Sequence, residues 1–263
     1  MNTVTSKDGT TIAFDRSGEG PPVVVVGGAL STRAAAETLA GLLAPSLTVY
    51  AYDRRGRGDS GDTPPYAVER EVEDIQALVE DAGGSAFAFG HSSGGVLALE
   101  AASHTLGITK LALYEPPFFV DDSRPPVPDD YIERLTELAS RNRRGDAIEY
   151  FMVTGVGLPP EAVAPMKDDP SWSALEAVAH TLSYDGRVMG DTLGGKPLPS
   201  DRWASVTIPT LVIDGGASPP WQRNAVQGLV DALPEARHLT MEGQTHDVDP
   251  ALLAPVLEEF FAG

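Results

Sequence analysis

The chain alternates short apolar runs with longer segments of helical spacing. Val23 to Val26 is a continuous β-branched run closed by Gly27-Gly28, as expected of a strand buried on both faces. Leu47 to Tyr52, Ser85 to Phe89 and Ile108 to Tyr114 repeat that form. Thr210 to Ile213 and Arg237 to Met241 repeat it near the C-terminus. Thr10 to Asp15 alternates like an edge strand and runs into the turn Ser17-Gly18-Glu19-Gly20. Between these runs, Ala35, Leu39, Leu42 and Leu43 share one face of a helix over 32–43. Val72, Ile75, Leu78 and Val79 do the same over 68–81. Further helices are expected at Gly94 to Thr105, at Gln222 to Leu233 and from Pro250.

The pattern breaks after Pro116. From there to about Val206 no comparable strand occurs, and Pro125, Pro126 and Pro128 interrupt the chain. Helical segments follow over 130–142, 146–153 and 171–182. Strands alternating with helices predict an α/β fold, a mostly parallel sheet covered by helices on both faces. The break predicts an inserted helical cap over 118–205, within a core made from 1–117 and 206–263. Ligands bind such sheets beyond the carboxyl ends of the strands, so the insertion is expected to roof the site.

Composition narrows the function. A chain of 263 residues suffices for one such domain with an insertion. The net charge of −19 disfavours nucleic acid, whose phosphates need Lys and Arg partners. The absence of cysteine excludes disulfides, thiolate metal sites and cysteine nucleophiles. Met1 to Thr10 lacks an apolar signal core, and Val23 to Val26 is too short to span a bilayer. The expectation is a soluble, cytoplasmic protein without a membrane partner; the sequence sets no oligomeric state. No His or carboxylate cluster has ligand spacing, so neither metal nor cofactor is expected.

The chemistry centres on Gly90-His91-Ser92-Ser93-Gly94, which matches G-x-S-x-G between a predicted strand and a predicted helix. A strand–turn–helix of this kind strains the central residue and points its hydroxyl outward. Small residues are required on either side, and the helix N-terminus offers free N–H groups to a developing oxyanion. Together with Gly27-Gly28-Ala29, the stretch Asp53-Arg54-Arg55-Gly56-Arg57-Gly58-Asp59-Ser60 and Gly243-Gln244-Thr245-His246, in that order, the chain resembles the α/β-hydrolase family over nearly its whole length.

The resemblance implies that Ser92 is the nucleophile and that the Ala29 and Ser93 N–H groups bind the oxyanion. Gly27 stands where the family often has His, a change that a backbone donor tolerates. His246, on the loop after the last strand, takes the family's position for the base. His91 within the elbow is assigned to packing, and His104, His180 and His238 to structural or surface roles.

The acid is the least direct assignment, and Glu115 is the expected one. The family's usual position reads Ser218, at the end of Gly215-Gly216-Ala217-Ser218. Glu115 directly follows the strand ending at Tyr114, and Glu115-Pro116 resembles the arrangement in zearalenone lactonases. Asp214 ends the later strand and is the alternative. Asp247 adjoins His246, but neighbouring side chains diverge.

The expected activity is hydrolysis of an ester or lactone of a hydrophobic small molecule through an acyl-enzyme. Gly28, Phe118, Phe151, Trp172 and Trp221 are the expected substrate contacts. Perhydrolysis or carbon–carbon hydrolysis on the same scaffold, or a catalytically degenerate small-molecule-binding protein, are the competing readings. Dehalogenase and epoxide hydrolase chemistry is disfavoured, because it needs Asp where Ser92 stands.

Overall fold

In the computed structural model, which describes residues 1–104 and 107–263, eight strands join in one sheet. They are β1 (Asn2–Thr5), β2 (Thr11–Ser17), β3 (Pro22–Val26), β4 (Thr48–Tyr52), β5 (Ala86–His91), β6 (Ile108–Tyr114), β7 (Thr210–Gly215) and β8 (Ala236–Met241). Their spatial order is β1-β2-β4-β3-β5-β6-β7-β8. The first two pairings are antiparallel and all the others parallel. This is the mostly parallel α/β sheet that the apolar runs predict. The short β1 was not expected, because its exposed polar residues carry no burial pattern.

Alternation along the strands explains the two helical layers. Val23 and Val25 point to one face, where Leu39 and Leu43 of α1 (Glu37–Leu43) meet Leu253, Leu257 and Phe261 of α10 (Pro250–Ala262). Val24 and Val26 point to the other. There they pack under Ile75 and Leu78 of α2 (Val68–Asp81) and Leu97 and Ala101 of α3 (Ser93–Ser103), while Val226 and Leu229 of α9 (Pro220–Ala232) join the same core over β7 and β8. The helix expected from Gly94 ends by Ser103; its expected last residue, Thr105, lies outside the described residues.

Between β6 and β7 the described chain is helical. It holds α4 (Tyr131–Ser140), α5 (Arg144–Tyr150), a wider turn over Phe151–Val156, α6 (Pro160–Val163), α7 (Trp172–Val178) and α8 (Leu182–Met189). The single helix expected over 171–182 is instead α7, a tight turn over Ala179–Thr181, and α8. That turn redirects the chain so that Thr181 and Asp185 face the core. Among the described residues no helix is long and apolar enough to cross a membrane.

Candidate active site

The sharp turn at Ser92 follows from crowding. Ser92 joins β5 to α3 with φ 57° and ψ −131°, a conformation that an L-residue adopts only under constraint. A Cβ on Gly90 would lie 2.5 Å from the Gly95 Cα, and one on Gly94 would lie 2.3 Å from the Val26 carbonyl oxygen. Both positions must therefore be glycine for strand and helix to meet this closely. Ser93 opens α3, so its N–H has no partner within the helix.

The turn after β3 lies against this elbow. A Cβ on Gly28 would come 2.9 Å from the Ser92 Cβ. The Gly28 carbonyl accepts from Arg57 Nη1 at 2.6 Å and from Ser31 Oγ at 2.7 Å. These bonds fix the plane of the peptide that carries the Ala29 N–H.

His246 sits on the loop after β8, which Tyr114 holds by donating its hydroxyl to the Thr245 carbonyl at 2.6 Å. Glu115, at φ 44°, leaves the end of β6 and is wholly buried. Its Oε2 lies 2.8 Å from His246 Nδ1, and its Oε1 accepts the Gly215 N–H at 2.8 Å. Gln222 on α9 donates to Oε2 at 3.1 Å, with the same amide nitrogen 2.9 Å from His246 Nδ1. Burial raises the Glu115 carboxyl, but its bonds to His246 and Gly215 outweigh it, and the group titrates below its ordinary value. Asp214 instead lies 3.0 Å from His238 Nε2, on the neighbouring strand. Asp247 is exposed at the cavity mouth. Of the three carboxylates weighed, the structure brings Glu115 to His246.

His91 packs its ring 4.7 Å from that of His246 and donates from Nε2 to the His246 carbonyl at 2.9 Å. Burial, with the adjacent His246, pushes its pKa down to about 4. It is thereby a neutral prop beneath the loop.

Ser92, Ser93, Gly28, Ala29 and His246 line one cavity of about 790 Å³. Its walls include Phe119, Tyr131, Phe151, Met189, Leu193 and Trp221, so apolar surface dominates. Two expected contacts are corrected. Phe118 is wholly buried against Trp203, and Phe119 faces the cavity in its place, since neighbouring side chains point apart. Trp172 belongs to the insertion's own packing beside Gly145, away from the cavity. Gly28, Phe151 and Trp221 do line it.

A buried ionic cluster escaped the sequence reading. Asp185 on α8 lines the cavity and accepts Arg54 Nη1, Arg57 Nη2 and Ser93 Oγ at 2.6, 2.6 and 2.7 Å. Arg54 also makes a two-pronged pair with Glu71, with both bonds at 2.7 Å. Despite full burial, the two guanidiniums hold the Asp185 carboxyl below its ordinary value. The available signal was three arginines within Arg54-Arg55-Gly56-Arg57, directly after a buried strand of a strongly acidic chain. Buried arginines need carboxylates, and that need points to acidic partners elsewhere.

Known proteins agree with this architecture. A profile of the alpha/beta hydrolase family matches residues 23–256. An alpha/beta hydrolase from Sphaerobacter thermophilus is 62% identical, with a TM-score of 0.92 over 99% of this chain and 100% of that one. A thermophilic esterase from Thermogutta terrifontis (malate bound) shares the fold at 20% identity and TM-score 0.74, over 99% and 97% of the two chains. The enol-lactonase from Burkholderia xenovorans shares it at 19% and 0.70, over 100% of both.

Proposed function

Because the chain belongs to the alpha/beta hydrolase family, we propose that it hydrolyses an ester or lactone of a hydrophobic small molecule through an acyl-enzyme on Ser92. His246 takes the Ser92 proton as oxygen attacks the carbonyl carbon. The electron pair of the carbonyl moves onto its oxygen, which the Ala29 and Ser93 N–H groups receive. His246 returns the proton to the departing alcohol oxygen. It then takes a proton from water as the water oxygen attacks the acyl carbon, and hands it to Ser92 Oγ as the acyl C–O bond breaks, releasing the acid and restoring Ser92. Glu115 keeps the imidazole proton on Nδ1 and stabilises the imidazolium at each step. Each oxyanion donor is worth roughly 2.7–4 kcal/mol in the transition state.

One observation carries this reading: a constrained serine and an imidazole share a single cavity, and a buried carboxylate lies 2.8 Å from the far nitrogen of that imidazole. The apolar walls favour a substrate with hydrophobic acyl or alcohol groups. The helical segment between β6 and β7 supplies Phe119, Tyr131 and Phe151 to those walls and serves as the roof.

The test is Ser92→Ala on an ester and lactone panel of varied chain length, together with fluorophosphonate labelling of the wild type. Turnover should fall at least about 10⁴-fold with the fold retained. An unreactive wild type with no turnover would instead mark a small-molecule-binding protein. A Ser92→Ala rate equal to wild type would remove the nucleophile.

A further inference from the structure

We propose that Arg57 is a positioning residue for the reaction: it couples the helical insertion to the oxyanion donors. The inference rests on the assignment of the Ala29 and Ser93 N–H groups to the oxyanion. The Gly28 carbonyl and the Ala29 N–H are the two ends of one peptide unit. Arg57 Nη1 donates to that carbonyl at 2.6 Å, beside Ser31 Oγ at 2.7 Å. A cation on the oxygen draws electron density from the conjugated nitrogen, so the N–H becomes a stronger donor and its direction is fixed.

The other donors of Arg57 hold the insertion. Nη2 meets Asp185 at 2.6 Å and Nε donates to Thr181 Oγ1 at 3.0 Å. Asp185 in turn accepts Ser93 Oγ at 2.7 Å, next to the second oxyanion N–H. Both donors are thus referred to the insertion through one guanidinium–carboxylate pair, with Arg57 1% and Asp185 3% exposed. Asp185 also lines the cavity, where an isolated carboxylate would repel the oxyanion. Arg54 and Arg57 balance Asp185 and Glu71, so that penalty is cancelled. Apolar side chains of equal volume would serve stability as well as buried ions do. The ions supply something that apolar packing does not, which is aim and polarisation at the two donors.

The experiment is kcat and KM for Arg57→Met and Arg57→Lys, corrected for the active fraction by fluorophosphonate titration. Affinity for an aryl trifluoromethyl ketone is measured beside them. Ser92 oxygen adds to that ketone, its proton passes to His246 and the carbonyl oxygen becomes an oxyanion. Arg57→Met should lower kcat per active site roughly 10- to 100-fold and weaken the ketone by the same factor, with KM changed less than about threefold. Arg57→Lys, which keeps the cation, should recover most of both. A structural role alone would change the active fraction and leave per-site kcat and ketone affinity at wild-type values, and that result overturns the proposal. Should Arg57→Met not fold, Thr181→Val carries the test. Loss of the Nε anchor should lower per-site kcat about threefold, and an unchanged value overturns the proposal. Ser92→Ala runs beside these variants. Full activity there sinks the hydrolase reading itself, whereas an inactive Ser92→Ala with wild-type Arg57 variants sinks the coupling alone.

Discussion

Glu115 and Asp185 are both almost completely removed from solvent behind the same cavity, yet their partners differ in kind. Glu115 faces an imidazole, a backbone N–H and a side-chain amide. Asp185 faces two guanidiniums and a hydroxyl. An imidazole can accept a proton and give it back, so the charge of Glu115 is matched only when His246 is protonated. Guanidiniums never lose theirs, so Asp185 is matched at all times. In the proposed reaction the first arrangement stores electrostatic energy for a step, whereas the second fixes geometry. Burial alone does not distinguish the two carboxylates, but the proton-carrying chemistry of their partners does.

The contrast is sharpest in activity. Glu115→Gln should cut turnover by about 10⁴-fold with little change in KM, because the amide disfavours the Nδ1–H tautomer. Asp214→Asn should change it less than about threefold, since Asp214 faces His238. Steady-state kinetics on one ester checks both, and the reverse ranking would move the acid to Asp214. Stability should show the opposite bias. Asp185→Ala leaves two buried guanidiniums short of a carboxylate and should cost about 3–5 kcal/mol in urea unfolding. A loss below about 1 kcal/mol would mean that the cluster does not behave as a closed ionic set.

The smallest effect lies in pH. His91 titrates near 4 in the folded chain against an ordinary 6.5, so the unfolded chain binds more protons between those values. The contribution of His91 to stability then rises with pH across that window, or equally falls as pH drops from about 6.5 toward 4, while Asp74, pushed up to about 6 by burial, acts in the opposite direction. His180, also pushed down by burial, adds in the same direction as His91. Glu115 acts lower. Its folded value is depressed below 4.5, so its contribution is present above that pH and is lost as pH falls further. The unfolding free energy from urea curves for His91→Gln should fall on the order of 1–2 kcal/mol less than that of wild type between pH 6.5 and 4. Parallel curves would remove His91 from the account.

Much of this was legible in the chain. Val23–Val26 and Ile108–Tyr114 read as buried strands because side chains that pack on both faces leave an unbroken apolar run. The elbow was legible because Gly90 and Gly94 have no room for a Cβ, which is a local constraint. The choice between Phe118 and Phe119 was not legible, because both belong to one irregular segment after Pro117 where no period assigns a face.

The sequence by itself determined the sheet, its helical layers, the serine in its turn and the histidine on its loop. Each depends on side-chain spacing over a few residues. The sequence favoured Glu115 over Asp214, and tertiary structure supplied the contact itself, Glu115 to His246 across 131 positions; tertiary structure alone decided that Asp185 meets Ser93 across 92. Those contacts depend on strand order and on the path of the insertion. Periodicity states which face a residue occupies and not what lies opposite it.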